Sequence, residues 1–166
     1  IWIRTGNKAK NIILPLPYSE QAYFSYVTLK IPDQTELDKL IAYNSDITQE
    51  GTLTINQNLE LENGDYSQDG ELTINGELQL SGGAIFTQRA QLNLPENNIT
   101  IGEGTWINSY GSQQWNNITV SHEDGNITSE VEQKLVLNAN NLYLKGKIDV
   151  SQKGYTKHPE IIGDAG

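Results

Sequence analysis

The chain has 166 residues, 11 Lys+Arg against 21 Asp+Glu, no Cys and no Met. That length suits one domain able to bury a core, and a net charge of −10 argues against nucleic acid and anionic membrane partners, both of which select Lys/Arg-rich faces. The absence of Cys excludes a disulfide scaffold, a thiolate nucleophile and a Cys-based zinc site, and no apolar run approaches the roughly 20 residues of a membrane-spanning helix.

Taken in chain order, residues 1–50 come first as a cap and assembly segment. They hold Arg4, Lys8, Lys10, Lys30 and Lys39, and three of the five prolines. Extended stretches are expected at Ile1–Ile3, Ile12–Leu16 and Tyr23–Ile31. Asp33-Gln34-Thr35-Glu36 then resembles a capping box. Leu37, Leu40 and Ile41 follow at helical spacing, so a short amphipathic helix over 34–43 is predicted to plug the first coil. The chain opens at Ile1 without Met or a signal sequence, and a processed piece is expected.

From Ile41 to Gln133 the only basic residue is Arg89, against fourteen acids. Short apolar pairs spaced two apart interrupt this polar background: Leu53/Ile55, Leu59/Leu61, Leu72/Ile74, Leu78/Leu80, Leu92/Leu94, Ile99/Ile101 and Ile118/Val120. Alternation of this kind is the strand signal. The pairs also repeat. Leu-Thr-Ile-Asn occurs at 53–56 and again at 72–75, and Leu59-x-Leu61 returns as Leu78-x-Leu80. One strand position runs Leu53, Leu72, Leu92, Gln113–Trp115, Leu135. A second runs Leu59, Leu78, Ile99, Ile118, Leu142, and a third Tyr66, Ile85, Ile107, Ile127, Ile148.

Three short strands cannot bury their own side chains, but stacked units can. Each strand then pairs with its equivalent one coil away, at roughly 4.8 Å. The expectation is an all-β, right-handed parallel β-helix of about five coils over 51–155, capped by the strands and short helix of 1–50. A polar, Gly-containing tail follows over 156–166. Asn63-Gly64, Asn75-Gly76, Gly82-Gly83 and Gly125-Asn126 suit its corners, and recurrent Asn at corners is expected to stack as amide ladders. A β-sandwich also accommodates short alternating strands, but it does not require an aligned repeat of about 20 residues.

The repeat Leu-Thr-Ile-Asn-Gly-x-Leu-x-Leu-x-Gly-Gly at 72–83 resembles the β-helical passenger and filamentous-haemagglutinin-like regions of bacterial surface proteins. Gly146-Lys-Ile-Asp-Val-Ser-Gln-Lys-Gly-Tyr155 resembles the end of such a β-helix. The likeness is one of architecture over roughly 51–155. It implies a secreted or cell-surface adhesin, matrix or fibre component, with polysaccharide-cleaving enzymes and tail spikes as relatives in form. It carries over no functional residue.

Candidate chemistry is sparse. Glu60 and Glu77/Gln79 are expected to neighbour one another on an outer face, in the manner of paired glycosidase carboxylates, yet polar outward positions are also what a solvated solenoid needs. Arg89 is the lone central base, and His122 and His158 are single, so no His pair or Ser-His-Asp set is supported. No catalytic residue and no cofactor is assigned. Calcium is the one cation considered, at corner residues Asp65, Asp69 and Asp124, although neither stretch fits a known calcium loop. Trp106, Tyr110 and Trp115 are the candidates for stacking on surface glycans, unless the rings pack inside. Asn98, Asn117 and Asn126 each head an Asn-Ile-Thr acceptor triplet, expected to be strand composition rather than glycosylation sites. The weak C-terminal end and the extended 1–31 segment suggest like subunits as partners, by end-to-end or strand-mediated assembly. No nucleic acid and no membrane insertion is expected.

Overall fold

The structure, a computed structural model, describes residues 2–4, 11–13, 22–25, 28–31 and 33–151. Among them, twenty short strands wind into a parallel β-helix of about six turns, one more than expected. Three faces alternate around each turn. The long face stacks eight strands: β2 (Asn11–Ile13), β4 (Thr28–Ile31), β7 (Asp46–Gln49), β10 (Asp65–Gln68), β13 (Ile85–Gln88), β16 (Thr105–Asn108), β18 (Asn126–Thr128) and β20 (Lys147–Ile148). The short face stacks β5 (Thr35–Leu37), β8 (Leu53–Ile55), β11 (Leu72–Ile74) and β14 (Leu92–Asn93). The third face is broken into two sheets. One holds β1 (Trp2–Arg4), β3 (Ala22–Ser25), β6 (Leu40–Tyr43), β9 (Leu59–Glu62) and β12 (Leu78–Ser81). The other holds β15 (Asn98–Ile101), β17 (Gln114–Val120) and β19 (Asn138–Leu144).

The expected ladders are present where the repeat is regular. Leu53, Leu72 and Leu92 follow one another in register, as do Leu59 and Leu78, and Ile99, Ile118 and Leu142. Leu53, Leu59, Leu72, Leu92 and Ile118 are all fully buried. Each such side chain contributes on the order of 1.5–3 kcal/mol through burial, and no single coil could hide them alone.

Several expectations are corrected. No helix forms over 34–43. Gln34 has φ 57, and Thr35, Leu37, Leu40 and Ala42 point inward on β5 and β6. These two strands pair in register with β8 and β9, so the ladder overrides a weak local helical pattern. The acid of the capping-box pattern bonds a corner instead of a helix end. Asp33 Oδ1 accepts from Gln34 N and, one coil away, from Thr52 N at 2.7 Å. Strands before residue 50 share their sheets with strands after it. The tail 156–166 lies outside the described residues.

The third ladder slips by one residue at two rungs. Tyr66 is level with Phe86 and Trp106, not with Ile85 and Ile107. The corner before β13 is Gly82-Gly83-Ala84, one residue longer than Asn63-Gly64, and both glycines take left-handed φ (57 and 81). A one-residue shift exchanges the faces of a strand, so the bulky rings go inside and the isoleucines are half-buried. Tyr66 and Phe86 stack with centroids 5.4 Å apart, and Trp106 meets Trp115 edge-on at 5.8 Å. In the first ladder the fourth and fifth rungs are also replaced. Trp115 pairs with Ala139, Leu135 lies outside any strand, and the side-chain amide of Gln113 stands where a strand would be. Gln113 Oε1 accepts from Leu92 N at 3.1 Å and its Nε2 donates to Leu92 O.

A polar ladder runs inside the long face. Gln49, Gln68, Gln88 and Asn108 occupy one register position, and the three glutamines are fully buried. Buried amides are tolerated when they are bonded. Each glutamine Nε2 donates to the carbonyl two residues on. It also reaches the next coil: Gln49 to Glu71 O at 2.9 Å, Gln68 to Gln91 O at 2.7 Å and Gln88 to Gln113 Oε1 at 2.8 Å. The amide oxygens look to the aromatic stack. Tyr66 Oη donates to Gln49 Oε1 at 3.3 Å and Trp106 Nε1 to Gln88 Oε1 at 3.1 Å. Burial pushes the Tyr66 phenol well above its ordinary pKa, so it stays a donor. Gln68 Oε1 has no partner, because the ring at that rung is Phe86.

Two reciprocal substitutions follow. Tyr66→Phe should cost about 1–3 kcal/mol by orphaning Gln49 Oε1. Phe86→Tyr should gain about 0.5–1.5 kcal/mol by supplying the missing donor to Gln68. Urea unfolding followed by circular dichroism measures both, and a destabilised Phe86→Tyr would refute the pairing rule.

Candidate functional site

The break in the third face opens a concave surface. Up to β12 its strands stack in one ladder, and from β15 a new ladder starts, with no pairing between the two. The cause is local. Between β14 and β15 the chain makes a 3₁₀ turn at Pro95–Asn97, in which Glu96 and Asn97 take φ 53 and 51. Proline removes a backbone donor, and the turn displaces the start of β15. The chain comes close to β12 again at Gly102, where a β-carbon would lie 2.9 Å from Leu80 O.

A groove of about 570 Å³ opens between them. Leu78, Leu80 and Leu94 contribute its apolar surface, and Gln79, Asn98 and Thr100 are among its polar lining. A second hollow of about 500 Å³ shares Gln79, Leu80, Gly102 and Ser121 with the first and extends to Tyr43, which is 40% exposed. The two form one track across the coils of this face.

Carboxylates border the track, and several have a side-chain partner. Gln79 is level with Glu60, as the sequence suggests. Glu60 Oε1 accepts from Lys39 Nζ at 2.6 Å, Glu77 Oε2 from Gln79 Nε2 at 2.8 Å, and Glu96 Oε2 from Asn98 Nδ2 at 3.3 Å. His122 lies 3.6 Å from both Glu103 and Asp124 carboxylate oxygens, and its Nδ1 accepts from Asp124 N at 3.2 Å. That bond leaves the proton of a neutral ring on Nε2, facing Glu103. His158 lies outside the described residues.

The remaining sequence candidates separate. Trp106 and Trp115 are in the core, 0% and 1% exposed, so neither ring can stack on a sugar; Tyr110 is half-buried. The inward turn follows from the same register that places Phe86 inside. Asp65, Asp69 and Asp124 do not converge on a cation. Asp65 opens β10, Asp69 follows its far end, and Asp124 sits before β18, three rungs further along the long face. Among the described residues no group of three His, Cys, Asp or Glu side chains is placed to hold a metal. Asp69 instead meets Arg89, whose Nη1 lies 3.0 Å from Asp69 Oδ1 and whose Nε and Nη2 both donate to Glu130 Oε1. Those bonds, Glu130 first, raise the Arg89 pKa. A guanidinium so held is a brace between coils and is unsuited to removing a proton.

The acceptor triplets form part of the amide ladders. Asn117 Nδ2 donates to Asn98 Oδ1 at 2.7 Å and Asn141 Nδ2 to Asn117 Oδ1 at 2.9 Å. Asn140 Nδ2 bonds Asn116 Oδ1, and Asn75 Nδ2 bonds Asn56 Oδ1. A glycan on Asn117 would take the nitrogen that the ladder uses. The Asn126 Oδ1 is buried without a partner. The groove itself has one sequence signal: the second-ladder step from Leu78 to Ile99 is two residues longer than that from Leu59 to Leu78, and Pro95 falls inside the insertion.

Asp65 follows Asp46 along the long face at the start of β10, and its pKa is raised, chiefly by burial and then by Asp46. The folded chain therefore binds this proton more tightly than the unfolded chain. Stability falls as pH rises from the ordinary Asp range through the raised value. Asp65→Asn should remove that fall and stabilise the protein at neutral pH by roughly 0.2–1 kcal/mol, with no gain below both values. Melting curves of the two proteins at pH 3 and pH 7 provide the check.

Comparison with protein-family models, with curated proteins and with solved structures finds no match for this chain.

Proposed function

We propose that this chain is a structural module of a bacterial surface, matrix or fibre protein, working outside the cell as a stiff segment that lengthens by stacking. Its last described coil carries the observation behind this reading. Leu142 and Leu144 occupy inward ladder positions, level with Ile118 and Val120. Those partners are 0% and 1% exposed, whereas Leu142 and Leu144 are each 48% exposed. Among the described residues, the seven-residue β19 is the last strand of its sheet, and these two leucines on it are half-covered. An edge of this kind pairs readily with another strand.

A like subunit supplies matching chemistry, since its own coils have inward Leu and Ile at the same spacing. The repeat at 72–83 and its likeness to adhesin β-helices favour an extracellular setting. The charge of −10 keeps the solvated faces soluble and repels nucleic acid. The bracing of Arg89 favours a structural over a catalytic reading.

Multi-angle light scattering over a concentration series, with electron microscopy of the same samples, tests the assembly. The unmodified chain should form end-stacked oligomers or filaments. Leu142→Lys/Leu144→Lys should remain monomeric with an unchanged circular dichroism spectrum, because both side chains are already half in solvent. A chain that stays monomeric at the highest attainable concentration contradicts coil addition.

A further inference from the structure

The track at the broken face has a shape and chemistry of its own, independent of stacking at the C-terminal end. We propose that it is a binding site for an uncharged polysaccharide. The combined hollow crosses strands rather than following one, so a ligand lying in it passes over successive coils. Its two parts, about 570 and 500 Å³, are of the size that ligand clefts have.

Three observations select the ligand. First, the facing edges of β12 and β15 are not joined by a ladder. The other consecutive strands described on this face do pair, so the break leaves backbone groups turned toward the hollow. Second, the lining carries Gln79, Asn98, Thr100 and Ser121 together with Glu77 and Glu96, and the amides of Gln79 and Asn98 donate to those two carboxylates. Amide oxygens and hydroxyls match sugar hydroxyls, which both donate and accept. The exposed Tyr43 ring at the far end adds a stacking surface. Third, the border carboxylates exclude polyanions: a uronate or sulfate chain would meet Glu60, Glu62, Glu77 and Glu103 with Lys39 already paired to Glu60. Lys39 and His122 already stand beside Glu60 and Glu103, and a basic peptide is one outcome of the test.

Native affinity electrophoresis of the full chain tests the proposal. The gels contain amylopectin, galactomannan, arabinoxylan or mixed-linkage β-glucan as uncharged probes, and polygalacturonate as the anionic one. At least one uncharged polysaccharide should retard the protein, and polygalacturonate should not. Gln79→Ala/Thr100→Ala should weaken retardation about tenfold, the effect of losing one or two good hydrogen bonds. Ser121→Trp, which fills the shared section of the track, should abolish it. Ser67→Ala, on the long face, should leave it unchanged. No retardation by any of the four, equal retardation of the groove variants, or preference for polygalacturonate overturns the site. Tighter binding of fluorescent oligolysine than of every polysaccharide overturns it in favour of a basic peptide.

Discussion

Every part of this molecule depends on parallel register between coils. A strand of three or four residues offers one or two inward side chains and half a set of backbone bonds, which is too little to be stable. It becomes stable only when the coil before and the coil after present the same residue at the same level. Leu53, Leu72 and Leu92 satisfy this with identical side chains. The Gln49–Gln68–Gln88 series satisfies it for polar groups, because each amide bonds both its own corner and the next one. The same rule explains why Gln113 can replace a strand: its side-chain amide offers Leu92 the donor and acceptor that a peptide group would.

How much of this is legible in the sequence depends on how local the cause is. The Leu-x-Ile and Leu-x-Leu repeats disclose the coil, its length and two ladders, because alternation and spacing are both written along the chain. The segment over 34–43 misleads because Leu37, Leu40 and Ile41 fit a helix locally, and only pairing with β8 and β9 selects strands. Ile85 and Ile107 mask the true rungs, Phe86 and Trp106, because an isoleucine looks like a natural ladder residue. The extra corner residue at Ala84, which decides the register, is easy to absorb into an irregular repeat. The glycan candidates Trp106 and Trp115 fail for the same reason: their rings face the axis. Residue type alone does not say which way a strand is turned.

The groove is harder still to foresee, since it is made by a failure of the repeat. Pro95 and the two residues with positive φ disturb one corner, and the consequence appears on a neighbouring face where β12 and β15 lose their pairing. Irregularity in a repeat protein is therefore informative in its own right. A regular coil has little choice about its side chains, while a broken one exposes backbone and polar atoms to a ligand.

The succession of nearest-neighbour contacts has a mechanical corollary. Each turn is held by the one below and the one above, with Arg89 as a clamp spanning more than one level, from Asp69 to Glu130. Free energy in such a stack accrues turn by turn, so opening that spreads along the axis slows at the clamp. Among the described residues, amide hydrogen exchange should be faster at the half-covered Leu142–Leu144 than around the buried, stacked rings of Tyr66 and Phe86.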